Sequence, residues 1–487
     1  FPRLITSIDF LKRERPMRLF RETLPAGDQP AYPRPYDLLI VDEAHNVAPS
    51  GRGKYAIDSQ RTAAIRTLAP FFEHKLFLSA TPHNGYQESF SALLELLDNQ
   101  RFARAVPLNR TQLEAVMVRR MKSELELKWD GSRRFAKRCV LHLEVAYSAA
   151  ERRGHQALRE YSHLRAKSAA TEGQRSATES VLKLLKKRLF SSPAAFAITF
   201  EKHARSVGAA KDGSHGKAWQ RQLEDADNDF ADDDDYENVS SEAVETASRH
   251  VAPLDAEEKA LLAELREFAA HAADRADSKA RELIDWLKAN IKPDGTWSDR
   301  RVIIFTEYRA TQKWLHDLLA AEGLAEQDRL LTIYGGMPLK GASGTFKDRE
   351  SIKAAFQADP ADAPVRILLT TDAASEGVNL QNHCWQLIHY EIPWNPNRME
   401  QRNGRVDRFG QKHPEVHVHH FVGKGFDETK PGQAPGDLEG DLEFLLRAAL
   451  KVEAIREDLG KVGPVIAQQV DEAMLGRRRT LDTSHAE

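Results

Sequence analysis

The chain has 487 residues, 41% hydrophobic and 29% charged, with a net charge of −3; that length allows about three domains, and the balance is that of a globular rather than a disordered or fibrous protein. The near-neutral charge excludes wholesale basicity as a route to nucleic acid, so such binding would have to run through a local basic channel. Two cysteines, Cys139 and Cys384, are too few for a disulfide framework or a Cys-rich zinc site, and no apolar run suits a membrane span or signal peptide, so a cytoplasmic protein without a membrane partner is expected. The first residue is Phe1 rather than Met, which leads us to expect a piece of a longer protein.

Ser7 and Asp9 are suited to cap a short helix near the start. Pro25, Pro30, Pro33 and Pro35 then enforce an extended entry into Leu38-Leu39-Ile40-Val41. This apolar run reads as a strand buried on both faces, and it runs directly into Asp42-Glu43-Ala44-His45. Residues 46–55, with Pro49, Gly51 and Gly53, predict a loop, and 58–72 a helix. Lys75 to Ser79 reads as a second buried strand, ending in Ser79-Ala80-Thr81-Pro82-His83-Asn84-Gly85. Residues 87–98 predict an amphipathic helix, and 139–145 a strand. From Ser148 to about Phe200 the pattern is helical, with the cationic stretch Lys183 to Arg188 as its solvated face. Acidic low-complexity sequence from Glu224 to Glu237 marks 205–253 as a disordered linker or exposed insertion. Residues 255–290 predict one long helix or two.

A second strand–helix alternation follows: strands at 301–306, 330–334, 365–370, 385–390 and 416–421, helices at 309–322, 346–357 and 397–408. Such alternation implies βαβ units and parallel sheets. The expected fold is therefore α/β: a first lobe over 1–135, a mostly helical insertion over 136–295, a second lobe over 296–425 and a helical extension over 426–487. Ligands collect at the carboxyl ends of strands in such sheets and in clefts between lobes. Two adjacent carboxylates at a strand end suit metal binding by Asp42 and activation of water by Glu43. In the second lobe, Arg405 and Arg408, three apart on a predicted helix, can neutralise charge that builds during phosphoryl transfer.

Taken in order, Asp42 to His45, Ser79 to Thr81, Val302 to Tyr308, Thr371 to Gln381 and Gln401 to Arg408 resemble motifs II to VI of superfamily 2 helicases. The runs Ser79 to Gly85, Ser375 to Gln381 and Pro393-Trp394-Asn395-Pro396 are similar to the bacterial SNF2-type group. That group includes the RNA-polymerase-associated ATPase and the SNF2-like helicase of DISARM anti-phage systems, which the run Asp42 to Ser50 most resembles. The resemblance implies two RecA-like lobes, the first one N-terminally truncated, that close on ATP and Mg2+ and open on hydrolysis to step along DNA. It implies that Asp42 coordinates Mg2+ and Glu43 is the catalytic base. His45 and the coupling segment Ser79, Ala80 and Thr81 link the nucleotide site to the nucleic-acid track. Glu376 and Gly377 sense nucleotide, and Gln401, Arg405 and Arg408 form motif VI. Thr306, Tyr308, His83, Asn84, Thr370 and Thr371 are the implied contacts to the DNA backbone, largely independent of base sequence. Partner proteins of a defence complex are implied as well.

One part of the pattern is missing. The family carries a phosphate loop, G-x-x-x-x-G-K-[ST], ahead of the acidic motif, and no such run occurs here; Gly51-Arg52-Gly53-Lys54-Tyr55 lacks both spacing and hydroxyl. The chain alone is therefore expected not to hydrolyse ATP efficiently. Two other functions stay open: remodelling of RNA polymerase by the same motor, and a catalytically silent nucleic-acid-binding scaffold.

Overall fold

The computed structural model describes residues 3–24, 32–49, 58–79, 87–120, 123–125, 127–207, 233–336, 348–372, 379–430, 432–458 and 463–481. They divide into two units, one built mainly from residues before 122 and the other from 122–453 with 466–482.

The first unit contains helices α1 (Ile8–Leu11) and α2 (Glu14–Arg21), strand β1 (Tyr36–Val41), α3 (Gln60–Leu68), β2 (Phe72–Phe77), α4 (Gln87–Leu97) and α5 (Arg110–Val116). Ser7 caps α1 by accepting a hydrogen bond from the Asp9 N–H at 3.2 Å. β1 and β2 run parallel, with Tyr36 opposite Phe72 and Val41 opposite Phe77. Side chains alternate along a strand, and here the alternation decides burial. Leu39, Val41 and Phe77 pack with Ile65, Ala69, Leu93 and Leu96 of the helices. Leu38, Ile40 and Leu76 point the other way and remain 49%, 56% and 46% exposed. The expectation of strands buried on both faces thus fails for this pair: among the described residues, its core packs on one face.

The second unit begins with β3 (Lys137–Val145) and continues through α6 (Ala149–Ser168), α7 (Glu172–Ser191), α8 (Pro193–Ser206), α9 (Asp233–His250), α10 (Ala256–Ala272) and α11 (Ser278–Asn290). Then come β4 (Val302–Thr306), α12 (Arg309–Ala321), β5 (Leu330–Ile333), α13 (Arg349–Gln357), β6 (Ile367–Thr371), β7 (Gln386–His389), α14 (Pro396–Asn403) and β8 (Glu415–Gly423). Helices α15 (Leu438–Asp458) and α16 (Gly463–Met474) follow. The sheet order is β3-β8-β7-β4-β6-β5, and every pair is parallel. The strands β4, β6 and β7 are buried throughout, as continuous apolar runs in a covered parallel sheet should be. Their carboxyl ends share one edge: Thr306 lies opposite Thr371, Ile333 opposite Thr370, and Phe305 opposite His389.

Helices α6 to α10 pack around Tyr161, Val181, Leu185, Phe196, Phe200, Val244 and Leu265. Three of them start at capping boxes, Ser148 with Glu151, Thr171 with Gln174 and Asp255 with Glu258, which satisfy two orphan N–H groups each. β3 falls within the stretch read as a helical insertion but pairs with β8 along its whole length. The expected linker over 205–253 is also corrected in part. Residues 233–250 form α9, whose small face of Ala243, Val244, Ala247 and Ser248 is buried; residues 208–232 lie outside the described residues. The cationic stretch is not simply a solvated face either. Lys186 meets Asp441 at 2.6 Å, and Arg188 is buried, paired with Glu237 at 3.2 Å and stacked over the Tyr308 ring at 3.9 Å.

Candidate functional site

In the first unit the site begins where β1 ends. The ladder runs one step past both strands: Leu78 N–H donates to Val41 O and Ala44 N–H to Leu78 O, each at 2.8 Å. This fixes the acidic turn beside Ser79. Asp42 Oδ1 accepts from the Glu43 N–H at 3.0 Å. Glu43 takes a left-handed backbone, φ 48°, a conformation that costs a non-glycine residue energy and clusters at functional sites. The chain then turns into a short helical stretch, Ala44–Val47, whose Ala44 and Val47 are buried and anchor it. His45 Nδ1 lies 3.1 Å from Ser79 Oγ and 3.3 Å from Glu43 Oε2. One imidazole therefore bridges the acid at one strand end and the hydroxyl at the next. Asp42 and Glu43 are both exposed, and this pair of oxygen donors fits a hard divalent cation such as Mg2+ held partly through water. Ala80, Thr81, His83 and Asn84 lie outside the described residues.

The expected motif VI helix is shorter than its sequence pattern. α14 stops at Asn403, and the chain tightens into turns: Arg405 N–H donates to Arg402 O at 3.0 Å and Val406 N–H to Asn403 O at 3.2 Å. Arg405 and Arg408 consequently sit on those turns and not on a helix face. Gln401 and Arg408 are exposed and Arg405 is half-buried. The turns hold Asn379 and Leu380: Leu380 N–H donates to Arg405 O at 3.2 Å, and the Arg408 guanidinium donates to Asn379 Oδ1. Glu376 and Gly377 lie outside the described residues.

The four expected backbone contacts of this unit are buried, and their hydroxyls are directed inward. Thr306 donates to Glu391 Oε1 at 3.0 Å and Thr370 to Thr371 O at 3.1 Å. Thr371 donates to Asp233 Oδ2 at 2.6 Å. The Tyr308 ring contacts Arg188 at 3.9 Å and Tyr236 at 6.4 Å.

Sequence reading missed a buried polar network beneath these groups. Arg402, 1% exposed, grips Asp372 with two nitrogens, one at 2.8 Å from Oδ2, and donates to Glu391 O at 3.1 Å. Such bidentate pairing fixes orientation as well as charge. Arg138 of β3 pairs in the same fashion with Glu400 at 2.7 Å and Asp407 at 2.6 Å, on either side of the α14 end. Glu391 is buried, and desolvation lifts its pKa from 4.5 to about 7 against the opposing pull of Arg402 and Lys279. His389 and His420 stack at 4.7 Å, and burial drives both pKa values down, so both rings are neutral. The sequence did hold a signal for Glu391: it is an acid following an apolar strand, the same pattern that drew attention to Asp42. Asp372, directly after β6, carries the same mark; Arg138 carries none.

Residues 279–410 match the helicase conserved C-terminal domain family. This stretch holds β4 to β7, α14, Thr306, Thr371, Gln401, Arg405 and Arg408. The chain is 35% identical over 148 residues to the uncharacterized ATP-dependent helicase YqhH of Bacillus subtilis (strain 168), covering 30% of this chain and 22% of that protein. It is 26% identical over 413 residues to the RNA polymerase-associated protein RapA of Yersinia pestis (strain Pestoides F), covering 84% of this chain and 36% of that one. The chain thus spans little more than a third of the length of these relatives, or less. Among solved structures it is similar to the C-terminal part of the Fun30 ATPase domain, with 14% identity, a TM-score of 0.35, and coverage of 71% of this chain and 100% of that one. The sequence matches relate the chain to helicase-type ATPases. No described helix is long and apolar enough to cross a membrane.

Proposed function

We propose that the chain is part of an SNF2-type, ATP-dependent DNA translocase acting in anti-phage defence in the cytoplasm. The observation that carries this reading is the His45 bridge between Glu43 and Ser79, because it joins an acid pair to a second strand end as a motor coupling hydrolysis to movement requires. In this reading Asp42 holds Mg2+, which when bound neutralises charge on the phosphates. Glu43, on its left-handed backbone at the turn after β1, takes a proton from the attacking water. His45 senses the state of Glu43 and passes it to Ser79. In this reading Gln401, Arg405 and Arg408 contribute polar and cationic groups toward the triphosphate; the Arg408 guanidinium donates to Asn379, and the Arg405 carbonyl accepts from the Leu380 N–H.

The test is ATP hydrolysis by the whole protein, with and without duplex DNA, compared with Glu43→Gln. Removal of a general base should lower kcat roughly a hundred- to ten-thousand-fold. An unchanged rate sinks the mechanism, and a wild type that never hydrolyses ATP favours the silent scaffold. The similarity to RapA over 84% of this chain supports a second reading, a remodeller of RNA polymerase. Co-purification with polymerase, against co-purification with other defence proteins, separates the two.

A further inference from the structure

Strands β3 and β8 carry metal-ligating side chains on one face, near their amino ends. Cys139 lies opposite His417 in the ladder, and such neighbours share a face of the sheet. Glu415 precedes His417 by two positions and shares that face, while Val416 and Val418 turn the other way into the core. The Cys139 sulfur, a His417 ring nitrogen and a Glu415 carboxylate oxygen all lie within 4.8 Å of one another. His417 Nε2 and Glu415 Oε2 are 3.5 Å apart. All three residues are half-buried, so an ion can reach them from solvent. Rings flank the group: His413 stacks on Trp385 at 4.4 Å and meets the His417 ring edge-on at 6.3 Å. Lys137 lies 3.9 Å from Glu415 Oε1, the oxygen that does not face His417. In a zinc tetrahedron the bonds are about 2.0–2.3 Å long, which sets the donor atoms about 3.3–3.8 Å apart. The imidazole and the carboxylate already stand at that separation, and the sulfur is at most roughly 1 Å too far, within reach of a side-chain adjustment. Thiolate and imidazole donors favour Zn2+ over Mg2+, and one thiolate with one carboxylate balances the charge of the ion. Cys384 is not suited to the same role. It is buried and donates to Gln386 O at 3.2 Å, and burial pushes its thiol up to about 12.

We propose that Cys139, Glu415 and His417 form a zinc site that fastens β3 to β8, with water in the fourth position. Cys139 binds as the thiolate and gives its proton to solvent. The ion then joins two strands that are far apart in the chain and otherwise meet through their ladder. Cys139 directly follows Arg138, which pairs with Glu400 and Asp407. The fastened segment is therefore the one that carries the arginine at the end of α14. Neither nucleotide nor nucleic acid takes part, so the site stands or falls independently of the motor reading.

The experiment strips the whole protein of metal with a chelator, removes the chelator and titrates Zn2+ against a chromophoric competitor. The proteins compared are wild type, Cys139→Ser, His417→Ala and His163→Ala, the last an exposed histidine on α6. Wild type and His163→Ala should bind one more tight equivalent of Zn2+ than Cys139→Ser or His417→Ala. Loss of a direct ligand should weaken that site by more than the about 10–100-fold that loss of an outer-shell partner costs. Co2+ in place of Zn2+ reports the sulfur itself: wild type should show thiolate-to-cobalt charge-transfer absorption that Cys139→Ser lacks. A measurement on wild type alone guards against a variant that fails to fold. Zn2+ should slow amide hydrogen exchange over 137–145, the span of β3, and Mg2+ at the same concentration should not. Equal zinc stoichiometry in wild type and Cys139→Ser, cobalt spectra that do not differ between them, or β3 exchange insensitive to Zn2+ overturns the proposal.

Discussion

Glu391 shows how far a single buried carboxyl can couple this unit to pH. Thr306 and the Glu307 N–H both donate to it, yet desolvation outweighs them and Arg402, setting its pKa at about 7 in place of 4.5. The folded protein therefore keeps this proton to higher pH than the unfolded chain. Its contribution to stability is complete below about 4.5 and is lost as pH rises through about 7. We expect the denaturant midpoint of the wild type to fall across that window and Glu391→Gln, permanently neutral, to fall less; parallel curves would refute the assignment. Asp42 and Glu43 were legible because carboxylates stand directly after an apolar run. Asp233 was not, since its partners Gly335 and Thr371 lie more than a hundred positions away and nothing in the acidic run marks one member for burial.

At the scale of elements, the bundle of α6 to α10 turns on one buried ion pair. Arg165 and Glu258 are 1% and 0% exposed. The guanidinium also donates to Ala252 O at 2.6 Å, and Ser168 donates to Glu258 at 2.8 Å. Glu258 serves twice, because its carboxylate also accepts from the Asp255 N–H in the α10 capping box. Removing one partner of such a pair leaves a buried charge and should cost about 3–5 kcal/mol. Glu258→Gln is therefore expected to lower the chemical-denaturation midpoint sharply, while the exposed pair partner change Glu245→Gln leaves it nearly unmoved. The helices themselves were readable from periodicity and caps, and so were the strands of the second sheet. The end of α14 was not: the helical pattern of Gln401 to Arg408 continues through Gly404, but the backbone there closes three-residue turns that carry Arg405 and Arg408. The acidic run misled for a related reason. Composition describes solvation on average, and α9 escapes that average by burying a face of small residues.

For the molecule as a whole, the sheet of the second unit is assembled from ends far apart in the chain. Among the described residues β3 pairs only with β8, and Arg138 meets Asp407 across 269 positions. The helices α6 to α10 lie in the interval, and their contacts are closer in sequence. Closure of a long loop delays the contacts that reward it. Pulse-labelling hydrogen exchange during refolding should find amides of α6 to α8 protected before those of β3; protection of β3 first would contradict this order. The same arrangement has a consequence during synthesis. β3 leaves the ribosome at about 5–20 residues per second, well ahead of β8, and its edge stays unpaired through that wait. The intervening helical bundle is then a companion to a growing chain: it can reach its own fold early and hold the two ends of the sheet close enough for β8, once made, to find the place kept for it.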